Sequence, residues 1–176
     1  MLTVADPDDR PLVLTAELDD GTFDWLDGLR RWHFPAERNH LAAHLTMFHA
    51  LPGPQLDRVS SELAEVTAAA PAIEGTAAHW MSLGGGVAMA IEVPGLVALR
   101  GELARRLADV LTRQDAGGFR PHVTVQNKVS SPLARELKAR LEAEHAPRPV
   151  LIPGLRLWRY DGGPWQFVRS FALGNG

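Results

Sequence analysis

Apolar residues recur along the chain with two different periods, and the switches between them mark out the elements. Pro11 to Leu18 is a mostly apolar run closed by Asp19, Asp20 and Gly21, the pattern of a strand and its turn. Phe23, Leu26, Leu29 and His33 follow at helical spacing, so a helix is predicted to end before Pro35. Ala36 to Ala43 is a polar connection, and His44 to Ala50 alternates as a strand does until Pro52-Gly53-Pro54 stops it. Leu56, Val59, Leu63 and Val66 give the next helix one apolar stripe, with Pro71 beyond its end. Ile73 to Leu83 and Val87 to Val93 read as two strands of a hairpin across Gly84-Gly85-Gly86. Pro94-Gly95 leads into a helix striped by Leu96, Leu99, Leu103, Leu107 and Val110. After a loop at Gln114 to Gly118 comes the strand of His122, then a helix expected to be capped by Ser131 with Pro132 in its first turn, and Leu133, Leu137 and Leu141 spaced by four. Strands near Val150 to Tyr160 and Trp165 to Leu173 close the chain around Asp161-Gly162-Gly163-Pro164. The order β-α-β-α-β-β-α-β-α-β-β is α+β with hairpins, not a continuous parallel sheet.

Composition narrows the class. With 176 residues and 45% hydrophobic content, the chain is long enough for a real core and is expected to be one domain over 1–176, or two small lobes sharing a boundary. Cysteine is absent, which removes disulfides, thiolate nucleophiles and cysteine-held metals together. Met1 to Asp9 lacks a basic stretch followed by an apolar run, and no apolar stretch approaches the roughly 18 residues of a membrane span, so a cytoplasmic protein without membrane contact is expected. A formal charge of −3 argues against tracking long duplex nucleic acid, although a strand end or small phosphoester is compatible with it. Arg30-Arg31, Arg105-Arg106 and Arg135 to Arg140 fit the wet faces of helices.

Candidate chemistry lies in a pattern that occurs twice, His44-Leu45-Thr46-Met47 and His122-Val123-Thr124-Val125. In a strand, a His and the Thr two residues on point the same way, about 6.6 Å apart along the chain, while the apolar residues between them face a core. The same offset aligns Leu63 with Leu141, Pro71 with Pro149, Trp80 with Trp158, Gly84-Gly85 with Gly162-Gly163 and Ala90 with Val168, which reads as an internal duplication. Two such strands facing each other across a cleft would bring two imidazoles to one ligand. Reaction at phosphorus needs a base for the attacking hydroxyl and an acid for the departing oxygen on the opposite side. Histidine, with an ordinary pKa of about 6.5, serves either part near neutral pH. The two Thr hydroxyls can hold non-bridging oxygens, and the scheme requires no metal and no cofactor.

This constellation resembles the 2H phosphoesterase superfamily, which includes bacterial 2′-5′ RNA ligase-like proteins and RNA 2′,3′-cyclic phosphodiesterases. The resemblance rests on the two His-x-Thr motifs and on the element order over nearly the whole chain. It implies a duplicated, bilobal α+β fold with two antiparallel sheets flanking a central cleft and helices outside. It also implies His44 and His122 as general acid and base, in an order left open, and Thr46 and Thr124 as phosphate ligands. Many RNA cyclic phosphodiesterases of this superfamily carry a basic residue shortly after the second motif, where this chain has Gln126-Asn127-Lys128. Lys128 supplies that charge if the strand runs so far.

The expected activity is metal-independent opening of a 2′,3′-cyclic phosphate on a nucleotide or RNA end, by a monomer. Two alternatives stay open: 2′-5′ ligation at the same site, and a module that binds phosphorylated nucleotides or RNA ends without turnover. Phe48 and Gln126 share faces with His44 and His122 under plain alternation, and Arg120 precedes the second motif, so all three are candidates for substrate contact. His40 and His44 have the spacing of a helical zinc pair, but Leu41 stands where a zinc protease motif carries Glu, and the alternation favours a strand. His49 falls on the opposite face, and His33, His79 and His145 have no partner pattern. Gly84-Gly85-Gly86 lacks the Lys-Ser/Thr of a phosphate loop and reads as a turn. Trp158 and Tyr160 share one face of a strand whose side of the sheet cannot be read from the pattern.

Overall fold

The structure, a computed structural model, describes residues 9–174, so the expectation for Met1 to Asp8 lies outside the described residues. In chain order the elements are β1 (Leu12–Ala16), α1 (Asp20–His33), β2 (Leu45–Leu51), α2 (Leu56–Ala68), β3 (Ile73–Ser82), β4 (Val87–Glu92) and α3 (Pro94–Arg106). There follow β5 (His122–Gln126), α4 (Ser131–Glu144), β6 (Arg148–Ile152), β7 (Gly154–Arg159) and β8 (Gln166–Ala172). Local chemistry sets several of these bounds. The Asp19 carboxylate accepts from Thr22 N at 2.9 Å and from its hydroxyl at 2.8 Å, capping α1, and Phe34 turns extended before Pro35. Ser130, one residue before the expected Ser131, caps α4, and proline occupies the first turn of both α3 and α4.

The strands form two four-stranded antiparallel sheets, ordered β2-β1-β7-β8 and β5-β4-β3-β6. The fold is α+β, as expected. Helix α1 packs on β5, α4 on β3, and α2 on α3 and β8. The buried apolar residues of both sheets and of all four helices join in one cluster, from Leu12 and Leu45 through Met89 and Val123 to Leu155 and Phe171. Among the described residues no helix is long and apolar enough to cross a membrane.

Two expectations about elements are corrected. The strand expected over Val150 to Tyr160 is two strands in different sheets. Pro153 cannot donate to a ladder, and a Cβ on Gly154 would stand 2.8 Å from the Phe171 carbonyl, so the chain crosses between sheets here. In α4 the buried stripe is Ala134 and Leu137 with half-buried Leu141, while Leu133 is exposed. The offset between the two motifs also matches β3 to β7 and their turns, where Gly84 and Gly162 both adopt left-handed φ, 79° and 77°. Beyond those turns the match ends: β4 lies inside its sheet between β3 and β5, whereas β8 is an outer edge. Ala90 and Val168 therefore do not occupy equivalent positions.

Candidate active site

His44 immediately precedes β2 and His122 opens β5, edge strands of different sheets lying side by side. Each imidazole is anchored in the same way. His44 Nδ1–H donates to the Ala42 carbonyl at 2.7 Å and His122 Nδ1–H to the Arg120 carbonyl at 2.7 Å, which leaves Nε2 of each ring as the free, basic atom. Both rings are half-buried, as are Thr46 and Thr124, while Leu45, Met47, Val123 and Val125 are in the core. Opposite His122 and Thr124, β4 presents the small side chains of Ala90 and Ala88.

The rings differ in surroundings. Burial pushes His44 down to about 4; its bond to Ala42 opposes this, and the charges of Arg30, His122 and His49 add to it. Trp165 meets His44 edge-on with ring centres 4.8 Å apart. At ordinary pH His44 is neutral and can accept a proton.

Three sequence-predicted contacts do not reach the cleft as alternation requires. Between Thr46 and Phe48 the ladder with β1 slips by one residue, so Phe48 lies opposite core residue Leu14. Between Thr124 and Gln126 the ladder with β4 slips likewise, so Gln126 lies opposite core residue Val87. A bulge of this kind moves every later side chain to the other face. Phe48 is accordingly 0% exposed and Gln126 7% exposed, with Gln126 Oε1 lacking a hydrogen-bond partner among the described residues. Lys128 lies beyond the end of β5, exposed in a turn with φ 64°, so it does not continue the strand face. Arg120 is exposed, and its visible contribution is the carbonyl that anchors His122. His40 and His44 lie on irregular chain before β2, not on a helix, so the zinc-pair geometry is absent. His49 is exposed and hydrogen-bonded to Asp115.

Two buried arginines organise the site, and neither was expected. Arg30, assigned above to a wet helix face, is 5% exposed. Its Nε donates to Asn39 Oδ1 (2.9 Å) and Leu41 O (3.0 Å), and its Nη1 donates to Thr124 O (3.0 Å). Asp27, on the same helix, accepts from Ala43 N at 2.8 Å. Helix α1 thus holds both the segment feeding His44 and the strand of His122. Arg100 of α3 donates to Met47 O, Asp115 O and Gly117 O, its guanidinium 4.4 Å from the centre of the Phe48 ring. Asp115, fully buried, accepts from the backbone N–H groups of His49 (2.8 Å) and Ala50 (2.9 Å). Carbonyls at both bulges, Met47 O and Thr124 O, are therefore capped by guanidinium groups, and edge groups that a neighbouring strand would pair are met by side chains. The available signal for Arg30 was its place four residues after Leu26, on the buried stripe of α1.

A cavity of about 490 Å³ opens on the His44 side. Thr15, Arg156 and Trp158 of the first sheet, Glu17 just beyond β1, and Trp165 of the β7–β8 turn line it, whereas His122, Thr46 and Thr124 do not. Thr46, Thr15 and Arg156 are cross-strand neighbours and share one face.

Comparisons with known proteins agree with this fold. No curated protein matches the chain by sequence. Among solved structures, Escherichia coli LigT complexed with 3′-AMP is similar at 17% identity and TM-score 0.63, over 93% of this chain and 98% of that one. TT0787 of Thermus thermophilus is similar at 16% identity and TM-score 0.62, over 94% and 98%. The profile of the 2′-5′ RNA ligase superfamily matches residues 18–164, a span that includes both His-x-Thr strands. The chain therefore belongs to the 2′-5′ RNA ligase superfamily, within the 2H phosphoesterases.

Proposed function

We propose that this protein hydrolyses 2′,3′-cyclic phosphates on nucleotides or RNA ends, without metal, with His44 as general base and His122 as general acid. The reading rests on one observation above all, two imidazoles anchored by the same Nδ1-to-carbonyl bond on adjoining edge strands. Family membership supports phosphodiester chemistry, and the similar LigT has been crystallised with 3′-AMP and with phosphate.

Water attacks phosphorus while His44 Nε2 takes its proton, and the bond from phosphorus to one ribose oxygen breaks as His122 Nε2–H protonates that oxygen. The product is a ribose phosphomonoester. His44 ends protonated and His122 neutral, and exchange with solvent restores both. Thr46 and Thr124 donate to the non-bridging oxygens as charge builds there. The environment of His44 supports this order of roles, since a ring kept uncharged by burial starts able to accept.

The test is hydrolysis of 2′,3′-cyclic nucleotides and of cyclic-ended RNA in excess chelator. Turnover that vanishes with chelator and returns with a divalent cation would rule the mechanism out. Tight binding of the cyclic nucleotide with no product would instead identify a binding module.

A further inference from the structure

His49 lies outside both motifs, and unbroken alternation from His44 would turn it away from Thr46. The slip in β2 reverses that. The ladder of β1 with β7 runs unbroken from Leu12 to Ala16, so Val13 and Thr15 share a face, and Thr46 stands opposite Thr15. Phe48 and Leu51 pair with Leu14 and Leu12, and all four are in the core. His49 and Ala50 are together set against Val13, which places the exposed His49 ring on the face of Thr46. Three residues along β2 separate Thr46 from His49, about 10 Å or less in an extended strand. His49 does not line the cavity beside Trp165.

The ring is held in place. Asp115, 0% exposed, accepts from His49 N at 2.8 Å, from Ala50 N at 2.9 Å and from His49 Nδ1–H at 3.2 Å, and its own N–H donates to Thr112 Oγ1. The two backbone bonds are enough to cap the strand edge. The third orients the imidazole with Nε2 outward, as carbonyl bonds orient His44 and His122. A protonated Nε2 donates to an anion while Asp115 balances the charge on the ring. The surroundings favour an anion as well. Residues 38–56 contain no Asp or Glu, and residues 110–135 contain only the buried Asp115. Exposed charge on these two stretches, at Arg38, Arg113, Arg120, Lys128 and Arg135, is therefore all positive, in a chain whose formal charge is −3.

We propose that His49, oriented by Asp115, is a further substrate-contacting residue: it holds the phosphodiester next to the reacting phosphate, so that the site favours an oligonucleotide end over a free mononucleotide. The place of the reacting phosphate, between Thr46 and Thr124, rests on the phosphodiester reading above; the face and the anchor of His49 do not. A cyclic mononucleotide has one phosphate and leaves this ring unused. A strand brings a second phosphate, one nucleotide along, to a surface whose exposed charge is positive.

The experiment measures kcat and KM in excess chelator for a 2′,3′-cyclic mononucleotide, for a dinucleotide with the same cyclic end, and for that dinucleotide with an uncharged methylphosphonate linkage. Wild type, His49→Ala and His49→Arg are compared, with far-UV circular dichroism and thermal unfolding to check that each is folded. The wild type is expected to prefer the dinucleotide about tenfold in kcat/KM, through KM, the order of one charge-assisted hydrogen bond. His49→Ala should remove most of that preference, and His49→Arg, which keeps a cation, should retain part of it. With the uncharged linkage the wild type should show the KM of the mononucleotide. A preference that survives in His49→Ala or with the uncharged linkage overturns the assignment, as does equal kcat/KM for both substrates in the wild type. If nothing is hydrolysed in chelator, the phosphodiesterase reading fails, and calorimetric titration with the 3′-phosphorylated dinucleotide and mononucleotide reads the same contact. Tighter binding of the dinucleotide that is lost in His49→Ala then upholds the role of His49, and equal binding by the wild type overturns it.

Discussion

His44 and His122 share a motif, a rotamer anchor and a strand position, yet the chain treats them differently. The shielding of His44 by its surroundings has a direct kinetic signature: the acid limb of kcat/KM should fall near pH 4, where the base becomes protonated, and not near 6.5. A pH–rate profile checks this, and Arg30→Met should move the limb upward because a positive charge near the ring is gone. Replacing either histidine with alanine should cost about 10²-fold or more in kcat. A folded variant that keeps its full rate removes that residue from the mechanism. At this scale the sequence was half legible. The His-x-Thr pairs stand out because a four-residue pattern repeats. Arg30, Arg100 and Asp115 do not, because their partners are backbone atoms on distant elements and a charged residue's default reading is solvent. Phe48 and Gln126 mislead for another reason: alternation assumes an unbroken ladder, and nothing in Thr46-Met47-Phe48 or Thr124-Val125-Gln126 announces a slip.

Among the elements, the bulged strands carry the design. Each exposes one imidazole and one hydroxyl, then turns its next side chain into the core, so the slip closes the motif. The β4 strand begins tight against the end of β5. A Cβ on Gly86 would stand 2.0 Å from the Gln126 carbonyl, and backbone cannot yield as a flexible side chain does. Gly86→Ala should therefore cost about 3 kcal/mol or more, measured by urea unfolding, with kcat falling as β5 shifts. Arg30→Met should cost about 2–3 kcal/mol, since the Thr124 and Leu41 carbonyls lose their donor. Most element positions were readable from apolar spacing and from Pro and Gly, including the hairpin at Gly84 to Gly86. The division of β6 from β7 was not, because both flanks of Pro153 read as strand and only the sheet assignment separates them.

For the molecule as a whole, buried titrating groups couple stability to acidity. His44 has a lower pKa folded than unfolded, so the unfolded chain binds its proton first, and stability falls as pH drops from about 6.5 to about 4. Burial alone would raise Asp115, but hydrogen bonds from the His49 ring and the His49 and Ala50 N–H groups outweigh it and hold the carboxyl below its usual value. Its contribution is present above the unfolded value and is lost as pH falls through the folded one. Both effects lower stability in acid but in different ranges, Asp115 acting only below the ordinary carboxylate value of 3.8, so the decline of urea midpoints from pH 7 to pH 4.5 comes from His44 and should be less steep in His44→Ala. The continuous apolar cluster beneath both sheets has a further consequence. Walls rooted in one shared interior cannot hinge apart as separate jaws, so the breathing that admits a ligand falls to the short turn at 161–165. Amide exchange there should slow when nucleotide is added, while β2 and β5 keep the same protection with the ligand and without it.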